Sequence, residues 1–276
     1  MPVVFAGIAP HGDEIVPVLN PDMDEKCKRL MDAMYRFSKE LIDKKPDSIV
    51  IATPHNLRIH KHMGVIVTSY LEGTWGTEHG SISIKAECDR NFAWSIYDRA
   101  IKENLPIVAV NYGVAEGEHS KMCLDWGTII PLWFINKTYE EQKLKLPPIV
   151  VITPSREIIW DYLVKLGELI ADVSATLGKR VAFIASADQA HTHDPKGPYG
   201  YSEKAKEFDD LINQFVRENQ LEKLLELSPK LIEEAKPDSF WQLLILYGVL
   251  RKINLRLIFT VYECPTYFGM LVAAYS

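Results

Sequence analysis

The sequence predicts an α/β fold: one domain over residues 1–276, with a central, mostly parallel or mixed β-sheet and helices on both faces. Three observations carry this. Short β-branched runs alternate with longer segments of helical periodicity. The strand runs are apolar throughout rather than alternating, as in a sheet buried on both sides. No Ser/Gly linker, low-complexity stretch or shift in composition divides the 276 residues, a length that one large core can fill.

The elements follow in chain order. Val3–Ile8 reads as a buried strand. Asp24–Lys44 reads as an amphipathic helix, because Leu30, Met31, Met34, Phe37 and Leu41 recur at near-helical spacing. Ser48–Ala52 is a second strand, and Gly64–Thr68 and Ile82–Ile84 are two more. A helix over Asp89–Glu103 leads to the strand Pro106–Val110. The strand Pro148–Ile152 precedes a helix over Arg156–Leu177, and Val181–Ala185 is the next strand. Helices are expected over Glu203–Glu218, Leu221–Leu225 and Phe240–Leu250, then a final strand over Leu255–Val261. The stretch Gly73–Gly80 reads as a glycine-rich hairpin connection or a substrate-lining loop. The apolar stretch Trp126–Phe134 reads as a loop lining a pocket or an interface.

Composition narrows the function. Lys plus Arg number 31 against 37 Asp plus Glu, a net charge of −6. General nucleic-acid binding needs a basic face, which this balance does not suggest. The cysteines Cys27, Cys88, Cys123 and Cys264 are far apart and form no C-x-x-C pair, so they read as reduced thiols. Val3–Ala9 is too short for a signal-peptide core, and no window approaches the roughly 18 apolar residues of a membrane span. The expectation is a cytoplasmic protein that binds neither nucleic acid nor membrane.

Three strands end alike, in Ile8-Ala9-Pro10-His11, Ala52-Thr53-Pro54-His55 and Ile152-Thr153-Pro154-Ser155. Proline lacks an N–H and stops each strand, presenting the next residue just past its end. In open α/β sheets, ligands bind at the carboxyl ends of the strands. His191 and His193 follow another strand end, in Ser186-Ala187-Asp188-Gln189-Ala190-His191-Thr192-His193. Three strand ends thus deliver histidine to one edge. Any single one reads more simply as a solvated loop residue, but a metal or acid/base site needs such clustering. Two imidazoles and a carboxylate with open positions form the facial triad of non-haem Fe(II) enzymes, and the same set could hold catalytic zinc.

Several carboxylates compete for the third place. Asp13 and Glu14, beside His11, read as a turn or N-cap. Asp238 reads as the N-cap of Phe240–Leu250 or as a ligand. Glu263 ends the last predicted strand, as a solvated carboxylate or a ligand. Asp188 could orient a histidine by hydrogen bonding. Tyr199 and Tyr201 read as packing residues or as partners of a polar substrate. No G-x-G-x-x-G, Walker or G-x-S-x-G pattern supports phosphate binding or a serine hydrolase.

These pieces together resemble a known family. A-P-H-G, T-P-H-N, S-A-D-Q-A-H-x-H followed by G-P-Y-G-Y, and Y-E-C-P-x-Y-F-G are similar to the catalytic chains of the class III extradiol ring-cleavage dioxygenases, from His11 to Gly269. That superfamily also contains Memo-related proteins, some without dioxygenase activity. The resemblance implies Fe(II) on His11, His55 and an acidic residue before a W-x-x-x-x-x-x-G helix, here Trp241–Gly248, which points to Asp238. Glutamate is usual at that place, so aspartate is a departure, and Glu263 is the second candidate. His191 takes the place of the acid/base histidine, with His193, Tyr199 and Asp188 near the substrate. The implied reaction inserts O2 into a catechol-type or aminophenol-type ring, in a homo-oligomer or in complex with a small partner protein. A Memo-like metal-binding or redox protein, or a zinc-dependent hydrolase, is the alternative on the same scaffold.

Overall fold

The computed structural model describes residues 2–276. Its main sheet has eight strands in the order β10-β11-β1-β9-β2-β8-β3-β6. These are β1 (Val3–Ala9), β2 (Ser48–Ala52), β3 (Met63–Ile66), β6 (Ile107–Val110), β8 (Ile149–Thr153), β9 (Val181–Ser186), β10 (Leu257–Glu263) and β11 (Met270–Tyr275). The centre β1-β9-β2-β8 is parallel, whereas β11 runs antiparallel to β1 and β10, and β3 antiparallel to β8. The mixed α/β sheet expected from the sequence is therefore present. A second sheet, β5-β4-β7, comprises β4 (Tyr70–Thr77), β5 (Gly80–Glu87) and β7 (Lys121–Cys123).

Strand periodicity divides the core. In β9, Val181, Phe183 and Ala185 face one layer while Ala182 and Ile184 face the other. The first layer holds α2 (Arg90–Lys102), α4 (Trp160–Thr176), α5 (Glu203–Arg217), α6 (Pro229–Ala235) and α7 (Phe240–Lys252). The second holds α1 (Glu25–Asp43) and α3 (Trp126–Glu141), with the smaller sheet beyond. No helix among the described residues is long and apolar enough to cross a membrane.

Several local expectations are corrected. Trp126–Phe134 is not a loop but the first half of α3. That half of the helix is buried and apolar on nearly every side, so it shows no amphipathic stripe to read. Gly73–Thr77 lies in β4, and only the turn at Glu78–His79 connects it to β5. Residues 156–159 precede α4 rather than opening it, and Leu221–Glu226 is a 3-10 turn. The chain ends on β11, whose small residues Ala273 and Ala274 dilute its strand character. Helices α4 and α7 cross at glycines: a Cβ on Gly167 would collide with the Ile245 carbonyl, and one on Gly248 with the Val164 carbonyl. This close packing fixes α7, at whose start Asp238 stands.

Candidate metal centre

Because β1, β9 and β2 are parallel neighbours, their carboxyl ends share one edge. The prolines end β1 and β2 as read from the sequence, and His11 and His55 follow. Their Nε2 atoms lie 3.0 Å apart. Asp238 Oδ2 lies 3.2 Å from His11 Nε2 and 3.0 Å from His55 Nε2. These three groups could hold a metal ion: one ligand atom from each lies within 4.8 Å of the others.

Asp238 does not cap α7. Ser239 occupies the N-cap position without a side-chain cap bond. Asp238 Oδ1 instead accepts the Asp188 N–H at 3.0 Å, which leaves Oδ2 for the imidazoles. One turn on, Gln242 Nε2 donates to the Ser186 carbonyl at 2.9 Å and ties α7 to the end of β9.

The orientation of His11 traces to a proline in another helix. Pro131, inside α3, has no N–H to give the Gly127 carbonyl four residues earlier. The Ser186 hydroxyl donates to that carbonyl instead. With its proton so engaged, Ser186 Oγ accepts from His11 Nδ1 at 2.9 Å. His11 thus carries a hydrogen on Nδ1 and turns Nε2 towards His55 and Asp238, so that Nε2 is the nitrogen a metal would take in place of a proton. The His55 ring is held differently, stacked on Trp126 with centroids 4.1 Å apart. Asp125 caps α3, accepting from Thr128 N, and also accepts from Thr53 Oγ1 at 2.6 Å, joining Trp126 to the end of β2.

Burial works against charge throughout this cluster. At His11, Asp188 and Asp238 outweigh it and raise the imidazole to about 9. Asp238 is held far below the usual carboxylate range despite its burial, chiefly by His11 and then His55. Asp188 moves the other way, since burial raises it and His11 only partly offsets this. Burial lowers both His55 and His191. The metal-free cluster therefore keeps a proton on His11 that a bound cation would replace.

His191 stands beside the group rather than in it. Its Nε2 is 3.8 Å from Asp238 Oδ2. Its Nδ1 faces the Gln189 carbonyl at 2.9 Å; a carbonyl only accepts, so Nδ1 bears the hydrogen and Nε2 is free as a base. The ring stacks on Phe268, with centroids 5.2 Å apart, and meets Tyr199 edge-on. Asp188 is buried against His11, accepting its backbone N–H at 3.1 Å, and lines the same hollow as His191, with half-exposed Tyr199.

Two sequence candidates lie elsewhere. His193 does not line the hollows at the three groups; its Nε2 is turned to Asp209 Oδ2 at 2.8 Å. Glu263 is not among the convergent groups, for β10 is separated from β1 by β11, and its carboxylate pairs with Arg29 Nε at 2.6 Å. Tyr201 is exposed. Trp75 and Trp126 line the smaller of these hollows, from stretches the sequence offered as substrate-lining or pocket-lining, but on a strand and a helix rather than on loops; Phe268 joins them. Ser186 was visible as a strand-end serine, but its role depends on the gap left by Pro131.

The chain is similar to several known proteins. Protein CA_C1420 of Clostridium acetobutylicum is 22% identical over 244 residues, covering 88% of this chain and 51% of that protein. A MEMO1 family protein of Desulfurococcus amylolyticus is 29% identical over 150 residues, 54% of this chain and 44% of that protein. The chain thus spans about half the length of these curated relatives. The crystal structure of an uncharacterized protein, JW3007 from Escherichia coli K12, superposes with a TM-score of 0.62 at 14% identity, covering 99% of this chain and 100% of that one; it shows a shared fold. Residues 6–272 match the family described as the catalytic LigB subunit of aromatic ring-opening dioxygenase, and to that family this chain belongs.

Proposed function

We propose that the protein is a non-haem Fe(II) extradiol dioxygenase that opens a catechol-type or aminophenol-type ring with O2. The observation that carries this is the convergence of two imidazoles and one carboxylate at a strand-end edge, with an uncoordinated histidine beside them. Two imidazoles and one carboxylate with positions left open are the donor set of non-haem Fe(II) enzymes, and the match to a ring-opening dioxygenase family favours iron over zinc and ring opening over zinc-dependent hydrolysis.

His11, His55 and Asp238 would hold the metal. Fe(II) held there would supply an electron path between a catecholate and dioxygen, whose direct reaction is spin-forbidden. His191 Nε2 takes a proton from the ring hydroxyl and returns it later in the reaction. Its lowered basicity keeps it neutral and ready at neutral pH. Trp126, Phe268 and Tyr199 wall the site with aromatic surface and limit water near the reacting atoms.

Anaerobic loading with Fe(II), followed by oxygen-uptake measurement with catechols and 2-aminophenol, tests the proposal. Oxygen uptake coupled to loss of the aromatic ring is expected. A folded, iron-loaded protein that consumes no oxygen with any of them would overturn it. The MEMO1 family relative favours that other outcome, a metal-binding or redox protein without ring cleavage.

A further inference from the structure

A second cluster of reactive side chains lies outside the metal centre. Residues 188–193 run beside the loop 264–269 that joins β10 to β11. Gln189 N–H donates to the Gly269 carbonyl at 2.8 Å, Gly269 N–H to the Ala190 carbonyl at 3.1 Å, and His193 N–H to the Tyr267 carbonyl at 3.2 Å. Tyr262 and Cys264 stand two positions apart at the end of β10. Strand alternation turns both to one side and Glu263, paired with Arg29, to the other. On that side the Tyr262 hydroxyl and His193 Nε2 share Asp209 Oδ2, at 2.5 and 2.8 Å. Cys264 is hydrogen-bonded to the same imidazole. With Nε2 on Asp209, Nδ1 is the nitrogen left for sulfur. The thiol also donates to the Thr266 carbonyl at 3.4 Å.

Cysteine, histidine and aspartate in this order are the parts of an activated nucleophile: the carboxylate orients the imidazole, and the imidazole moves a proton beside the sulfur. Burial works against charge on His193, but Asp209 and Cys264 outweigh it and raise the imidazole to about 9, so it carries a proton at neutral pH. The other thiols lack this setting. Cys27 and Cys88 are buried, and burial pushes both up to about 12. Cys123 is exposed, and its thiol donates to the Leu124 carbonyl at 3.7 Å. Cys264 is partly exposed, within reach of a small solute.

We propose that Cys264 is a thiol modified by hydroperoxides, with His193 as the proton donor beside it. The thiolate sulfur forms a bond to one peroxide oxygen as the O–O bond breaks. The departing hydroxide takes the His193 proton and leaves as water. Sulfur loses two electrons, the peroxide gains them, and Cys264 becomes a sulfenic acid. The site stands whether or not the protein opens aromatic rings. Its loop also carries Tyr267 and Phe268, which line the hollow at His191, so the modification falls at the foot of that wall.

Hydrogen peroxide added to the full chain at neutral pH, free of iron so that only thiols react, tests this. Dimedone traps sulfenic acid, and mass spectrometry reads its rate of appearance at each cysteine. Cys264 should react about 10²-fold faster than Cys123, the low end of what a positioned general acid contributes. Access alone gives the opposite order, because Cys123 is the more exposed. His193→Gln should bring Cys264 down to the rate of Cys123. Cys27 and Cys88 should stay unlabelled, and labelling there marks a variant that has lost its fold. In that event Asp209→Asn, which fills the same space without the charge that holds the proton on His193, should show the same drop. Equal rates at Cys264 and Cys123 in the unaltered protein would overturn the proposal whatever the variants do. So would a fast Cys264 in folded His193→Gln.

Discussion

His191 and His193 are two positions apart, yet they enter opposite kinds of polar cluster. Around His193 the network is closed. Asp209 is buried, and its Oδ2 accepts from His193 Nε2 at 2.8 Å and from the Tyr262 hydroxyl at 2.5 Å. Its Oδ1 accepts the Ala190 N–H at 2.9 Å. Around His191 the network is open. The nitrogens of His11 and His55 turn towards one carboxylate oxygen, with Asp188 close behind. A closed network holds the chain in place; an open one, with more acceptors than donors, leaves room for a ligand. Both lie in the S-x-D-x-x-H-x-H segment, so motif alone could not separate them.

Substitutions should expose that difference. The largest effect within this segment falls on turnover. His191→Phe should lower kcat about 10²–10⁴-fold and remove one limb of the pH–rate profile while iron stays bound. His193→Phe should leave the pH–rate profile intact and lower the thermal midpoint. Loss of the limb in His193→Phe, with His191→Phe silent, would exchange the two roles.

Ser186→Ala comes next. It frees His11 to take the other tautomer, so metal affinity should fall about 10–100-fold, the usual cost of losing a ligand's outer partner. Competition with a chelator measures it. An unchanged affinity would mean that His11 does not depend on the link from Pro131 through Gly127.

A smaller effect appears in pH dependence. Asp188 and Asp238 raise His11 to about 9 against burial, and Asp209 does the same for His193. A histidine raised on folding stabilises fully below its unfolded value, near 6.5, and loses that contribution as pH rises through the folded value. Metal-free protein should therefore melt at lower temperature as pH rises from about 6.5 to 9. Loaded protein should lose only the His193 part, because metal replaces the His11 proton. Identical slopes in the two forms would mean that His11 is not the proton displaced.

The smallest effect is expected at Glu263. Its ion pair with half-exposed Arg29 is screened by water and worth little, so Glu263→Ala should keep its metal and nearly all its stability. Metal loss there, read by elemental analysis, would return Glu263 to the site.

Much of this was legible in the sequence because strand ends announce themselves. Proline after an apolar run marks where a parallel strand stops, and that placed His11 and His55 on one edge. The residue pattern alone left Asp238 and Glu263 open, and only the family resemblance preferred Asp238. Both sit at element ends, and only strand order shows that β11 separates Glu263 from the edge. Trp126–Phe134 was legible as a pocket-lining stretch but not as a helix, because burial on every side of the first half of α3 erases its periodicity. Ser186 could not be read either, since its task is set by a carbonyl that a proline 55 residues away leaves without a helical partner.

Iron content after anaerobic loading, measured side by side for the unaltered protein, His11→Ala, Asp238→Ala and His191→Phe, tests the central claim most directly. The claim is that His11, His55 and Asp238 bind the metal and that His191 does not. Stoichiometric iron in the unaltered protein and in His191→Phe, with none in His11→Ala or Asp238→Ala at an intact fold, is the predicted result. Full iron in Asp238→Ala, or its loss in His191→Phe, would contradict it.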